Sequence, residues 1–141
     1  MTPDQVFSIA NFLAVCGWLL LAALPGRKWV ANLIAGAAIP AVFAAAYTAI
    51  IAANFFGAEG GFSSLQDVAL LFANPWLLLA GWIHYLAFDL LVGSWEVRDA
   101  RERRVPHLFV VPCLILTFLF GPAGWLLYLG VRSVAGRLPA S

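Results

Sequence analysis

The sequence predicts an all-α membrane protein, a compact bundle of four transmembrane helices with a short interfacial helix between spans two and three. Three observations predict it. Of 141 residues, 63% are hydrophobic and 11% are charged, with a mean hydropathy of +0.92. A soluble domain averages about 45–50% apolar and about 25% charged residues. Four apolar runs, about 6–24, 29–53, 75–93 and 108–131, each match or exceed the length that spans a bilayer as a helix. The charged residues gather at the ends of these runs. This composition excludes a soluble enzyme, a disordered segment and an ordinary nucleic-acid binder, and a net charge of +1 supplies no field for an anionic partner. The length allows one domain over residues 1–141, with the lipid bilayer as its first partner.

The first run is Val6 to Leu24. Thr2-Pro3-Asp4-Gln5 ahead of it is a helix start, with a capping hydroxyl, a proline in the first turn and Gln5 at the reciprocal position. No basic stretch precedes the run, so it reads as a retained span rather than a cleaved signal, and no long targeting segment is expected before it. Pro25-Gly26-Arg27-Lys28 ends it. The second run, Trp29 to Ala53, carries Pro40 near its middle, where a kink is expected. Its small residues, among them Ala35, Gly36 and Ala44, permit close helix contacts.

Asn54 to Asn74 is a connector, loose around Gly57, Gly60 and Gly61. Ser64-Leu65-Gln66-Asp67 resembles a capping box and starts the short interfacial helix, Val68 to Ala73. Asn74-Pro75 caps the third span, which runs to about Gly93. A charged loop is expected from there to His107. The fourth run, Leu108 to Val131, contains Pro112 and Gly121-Pro122, and a bend or break is expected near Gly121.

Six of the eight positive charges, Arg27, Lys28, Arg98, Arg101, Arg103 and Arg104, fall in the first and third loops. The positive-inside rule places those loops in the cytoplasm and the N-terminus outside. Arg132 and Arg137 fit poorly, as if the chain after Gly121 does not cross fully. Trp29, Trp76 and Trp95 flank spans and read as interfacial rings. Cys16 and Cys113 lie in apolar runs and read as small buried hydrophobes.

The informative stretch is Gly81 to Asp89, which puts His84, Tyr85 and Asp89 inside one apolar helix. Ionisable groups in a span are costly and point to function by default. Trp82, Asp89 and Glu96 are seven apart and share a stripe, with Tyr85 beside it. His84 is five residues from Asp89 and points roughly 140° away on a regular helix, so the two do not pair on one face. The bland alternatives are a buried anchor for Asp89, a packing role for His84, and a solvated, ion-paired loop from Glu96 to His107. His84, Asp89, Asp99 and His107 are suitable ligand types, but their spacing matches no metal motif, so no metal is assigned and any cofactor stays open. No nucleophile elbow, phosphate loop or H-E-x-x-H is present.

The run Gly81-Trp82-Ile83-His84-Tyr85-Leu86-Ala87-Phe88-Asp89-Leu90 resembles the abscisic-acid-deficient-4-like (neoxanthin synthase) family of membrane proteins. Asp99, Val105-Pro106-His107, Pro112-Cys113-Leu114 and Phe120-Gly121-Pro122-Ala123-Gly124 follow the same pattern. Plant members are plastid proteins needed to form neoxanthin from violaxanthin, a net isomerisation that opens an epoxide and makes an allene. No plastid transit segment is expected ahead of the first run, so the chain reads as resembling a bacterial member, expected in the inner membrane. The resemblance implies a bilayer-embedded pocket for a lipophilic carotenoid or other isoprenoid.

On that reading the chain is a carotenoid- or isoprenoid-modifying protein, an intramolecular isomerase working by acid–base chemistry. The catalytic candidates are His84, Asp89, Asp99 and His107. Asp89 is the acid or base and His84 its complement, while Asp99 and His107 close the cytoplasmic end. Trp82, Tyr85, Phe88 and Arg104 are the substrate-contacting candidates. The alternatives are a non-catalytic protein that binds or scaffolds a carotenoid, quinone or haem, and a small transporter or proton channel using Asp89. A homo-oligomer is compatible with any of these.

Overall fold

A computed structural model describes residues 1–135, which contain helices and no strands. Arg137 lies outside the described residues. Helix α1 spans Pro3–Ala23, and its start is the expected capping box: Gln5 N–H donates to Thr2 Oγ1 at 3.3 Å, and Thr2 N–H donates to Gln5 Oε1 at 2.9 Å.

The second run is one long apolar rod with two windings. A π-helix over Val30–Ala38 continues into α2, Ile39–Asn54. Pro40 has no N–H for the carbonyl four residues back, and its ring crowds that carbonyl. The chain meets this by widening just ahead of the proline, where Ile39 N–H bonds to Ile34 O, five residues back. The expected kink therefore takes the form of a widened turn.

Helix α3, Leu65–Phe72, is short, and Ser64 Oγ accepts from Asp67 N–H at 3.0 Å. Helix α4, Pro75–Glu102, starts where Asn74 Oδ1 accepts from Trp76 N–H at 2.9 Å. The expected charged loop after Gly93 is instead more than two further turns of α4. Those turns hold because their charges find partners elsewhere in the fold: Arg98 Nη1 donates to Ala31 O in the π-helix at 3.0 Å and Arg101 Nη2 to Pro25 O in the turn after α1 at 2.6 Å. The turn proper begins at Arg103, with Arg104 at φ +58°.

Helix α4 is the axis of the fold. Helix α1 lies parallel to it, as the pairs Asn11–Trp82 and Pro25–Arg101 show. Gly93 makes that packing close, since a Cβ there would sit 2.5 Å from the Trp18 ring. The π-helix and α2 run antiparallel to α4, as Ala31–Arg98 and Tyr47–His84 show. Among the described residues, three helical stretches are long and apolar enough to cross a membrane: Pro3–Ala23, Val30–Gly57 and Pro75–Glu102.

The fourth run breaks at Gly121, as expected, but it does not make one crossing helix. It forms α5, His107–Phe120, and α6, Pro122–Ala135, of 14 residues each. Gly121 has φ +48°, a conformation open to glycine. The chain reverses there and α6 packs back along α5. A Cβ on Gly124 would collide with Thr117, and Phe109 near the start of α5 lines a groove with Val134 and Ala135 at the end of α6.

Candidate functional site

Tyr85, Asp89, Glu96 and Asp99 are spaced by four, seven and three residues, so the 3.6-residue repeat gathers them on one face of α4. That face meets the α5–α6 hairpin. The result is a polar seam through an otherwise apolar bundle.

Asp89 lies at the middle of α4, opposite the hairpin's reversal, and is 9% exposed. Its Oδ1 is 2.7 Å from where a Cβ on Gly121 would sit, so only glycine admits the carboxyl so close to the backbone. Its Oδ2 is buried without a hydrogen-bond partner among the described residues. One turn earlier, the Tyr85 hydroxyl reaches the last carbonyls of α5, at 2.9 Å from Leu119 O and 3.2 Å from Phe118 O. It therefore serves groups that the helix end leaves unpaired.

Glu96 is fully buried, at 0% exposure. Thr117 on α5 donates to its Oε1 at 2.9 Å, and Oε2 has no partner among the described residues. Burying a carboxyl with half its acceptors unused is costly, and such a group calls for an explanation. Sequence reasoning placed Glu96 on the Asp89 stripe but left it out of the site, because it opens the charged cluster. Thr117 was missed because an isolated threonine in an apolar run carries no signal.

Asp99 sits at the other end of the seam. Tyr128 donates to its Oδ2 at 2.7 Å, Arg132 Nε is 3.4 Å from the same oxygen, and Arg103 Nε is 3.0 Å from Oδ1. The Arg132 guanidinium also lies over the Trp95 ring, 5.4 Å from its centroid. This cluster ties α6 to α4.

The four residues predicted to be catalytic do not converge. Asp89 and Asp99 are about 15 Å apart along the helix at about 1.5 Å per residue. His84 faces away from Asp89, as the helical arithmetic anticipates, and is exposed beside Tyr47 and Phe88, with ring centroids 5.8 and 4.7 Å away. His107 Nε2 is 2.8 Å from Ala22 O and closes the C-terminal end of α1. Among the described residues, no three His, Cys, Asp or Glu side chains group so as to hold a metal ion.

The substrate-contacting candidates also divide. Trp82 and Tyr85 line an apolar groove of about 570 Å³ with Phe7, Leu78 and Phe72. Within it, Trp82 Nε1 donates to Asn11 Oδ1 at 2.8 Å, and the Trp82 and Tyr85 rings are 5.2 Å apart. His84 lines a second groove, of about 370 Å³, with Tyr47, Ile51 and Phe62. Phe72 and Gly81 border both grooves. Phe88 is exposed on the outer face, and Arg104 is exposed in the turn after α4.

A family model described as ABA DEFICIENT 4-like, the ABA4-like family, matches residues 5–128. No curated protein and no solved structure matches the chain.

Proposed function

This chain belongs to the ABA4-like family, and we propose that it acts within the bilayer on a carotenoid or related long isoprenoid by acid–base isomerisation. The single observation that carries this reading is the free, buried Oδ2 of Asp89 beside a tyrosine that lines the apolar groove. A polyene lying against Trp82 and Tyr85 brings its reacting carbons towards the middle of α4. Asp89 takes a proton from carbon there as the new double bond forms and the epoxide C–O bond opens, the Tyr85 hydroxyl gives a proton to the freed oxygen, and the proton held by Asp89 returns to Tyr85. Atoms and electrons balance within the substrate, so the sum needs no oxidant or reductant. A positioned acid–base group of this kind contributes roughly 10²–10⁴-fold.

Tyr85 takes the place first assigned to His84 as the partner of Asp89, because it shares the Asp89 face of the helix and His84 does not. His107 and Asp99 are assigned to holding the basic end together. By the positive-inside rule, that end faces the cytoplasm and Thr2 faces out.

A second reading, binding without chemistry, is favoured by the tight seat of Asp89 on Gly121, which suits an anchor as well as a catalyst. The chain purified from carotenoid-producing cells separates these from a chain with no polyene ligand. Both readings expect a bound polyene absorption band that Trp82→Ala weakens. A colourless preparation from every host removes both.

A further inference from the structure

We infer that α5 and α6 form a re-entrant hairpin, which enters and leaves the bilayer at the basic end and turns at mid-depth against Asp89. Length is the first argument. Fourteen helical residues rise about 21 Å, short of the roughly 30 Å hydrocarbon core. Neither arm crosses by itself, and the reversal at Gly121 prevents them from adding.

Direction is the second. The contacts of α5 climb α4 from its C-terminal end: Thr117 meets Glu96, the carbonyls of Phe118 and Leu119 meet Tyr85, and Gly121 meets Asp89. The contacts of α6 descend again, with Tyr128 and Arg132 at Asp99. Asp89 is the fifteenth of the 28 residues of α4, so the apex sits at half its height.

The apex chemistry is the third. Irregular backbone at membrane depth is tolerated only where protein or enclosed water satisfies it. Here Tyr85 serves the last carbonyls of α5, and α6 begins at Pro122, which has no N–H to satisfy. Gly121 N–H donates to Thr117 O at 2.8 Å, and Gly121 O accepts from Gly124 N–H at 3.0 Å. An apex in water needs none of this.

Charge is the fourth. A fourth crossing carries Arg132 to the outer side and leaves it against the positive-inside rule. In the hairpin, Arg132 joins Arg27, Lys28, Arg98, Arg101, Arg103 and Arg104 at one end. Every lysine and arginine among the described residues then lies on the same side. The chain makes three complete crossings and one half-crossing, with Ala135 on the opposite side from Thr2. This topology stands apart from the proposed chemistry and survives its failure.

The test is a dual reporter, active as one enzyme in the cytoplasm and as another in the periplasm, fused after Ser141 of the full chain in a bacterial host. The same reporter inserted at Gly60 supplies the opposite side. The cytoplasmic signal is expected after Ser141 and the periplasmic signal at Gly60. A periplasmic signal after Ser141 overturns the inference. Sided labelling checks it without a fusion. With Cys16 and Cys113 replaced by alanine, Ser133→Cys is expected to react with an impermeant maleimide from the same face as Glu102→Cys. Reaction from the face that labels Glu59→Cys overturns it.

Discussion

Asp89 Oδ1 lies 2.7 Å from the point where Gly121 would carry a Cβ, so a carboxyl at mid-helix and a backbone reversal share one space. Gly121→Ala sets two penalties against the fold: a side chain at φ +48°, and a methyl against the carboxyl. Strained backbone of this kind costs about 1–3 kcal/mol. Thermal unfolding in detergent is expected to show a lowered midpoint. In an Asp89→Ala background, the added cost of Gly121→Ala falls, because the contact part of the penalty is gone. Equal costs in both backgrounds contradict the shared space.

Thr117 and Glu96 give a second prediction. Thr117→Val removes the donor to Glu96 Oε1 and leaves both carboxyl oxygens unpaired in a buried site. The expected loss is about 1–3 kcal/mol. Glu96→Gln keeps an acceptor for Thr117 and carries no charge, so it lowers the midpoint less than Thr117→Val. A reversed order in the melting curves means that a charged Glu96 supports the fold.

His107 separates anchoring from chemistry. Its ring nitrogen meets Ala22 O at 2.8 Å, at the exposed carbonyl end of α1. His107→Ala is expected to lower stability by about 1 kcal/mol, as the loss of one hydrogen bond does. Pigment handling by the folded fraction stays at the wild-type level. A selective loss of conversion with unchanged melting returns His107 to the catalytic set.

Trp82 tests the groove. Trp82→Phe keeps an aromatic wall but removes the bond to Asn11 Oδ1. It is expected to retain most polyene binding, whereas Trp82→Ala loses the wall and most of the binding. Absorbance of the co-purified polyene per mole of protein reads both variants. Equal binding by wild type and Trp82→Ala places the ligand elsewhere.

Much of the fold was legible where a local rule decides the outcome. Thr2 with Gln5, Asn74 with Pro75, and Gly121 with Pro122 are signals of a few residues, and each marks a helix start or a break in the structure. What local rules missed depends on distant partners. The residues from Glu96 to Glu102 read as a loop because charges in a membrane protein normally mark one. They remain helical because Ala31 O, Pro25 O, Thr117 and Tyr128 receive those charges from far along the chain. The π-helix ahead of Pro40 was illegible for a related reason, since the proline announces a disturbance but not its form.

The site was legible in the same divided way. Angular arithmetic separated His84 from Asp89, and the seven-residue stripe joined Asp89 to Glu96. Neither could show that α6 turns back, which brings Tyr128 and Arg132 to Asp99. Gly121-Pro122 marked a break, and the misfit of Arg132 with the charge rule hinted that the chain does not cross fully after it, but neither signal names the partners that the reversal brings together.

In the proposed reaction the Asp89 carboxyl transfers a proton to or from a bound polyene. The most direct measurement of that transfer is the pigment composition of a host that makes epoxy-carotenoids, expressing wild type or Asp89→Asn at matched membrane levels. Wild type is expected to give an isomerised pigment of unchanged mass, and Asp89→Asn to lower it by about 10²-fold or more. Equal product from both proteins, or no new pigment with wild type, contradicts it.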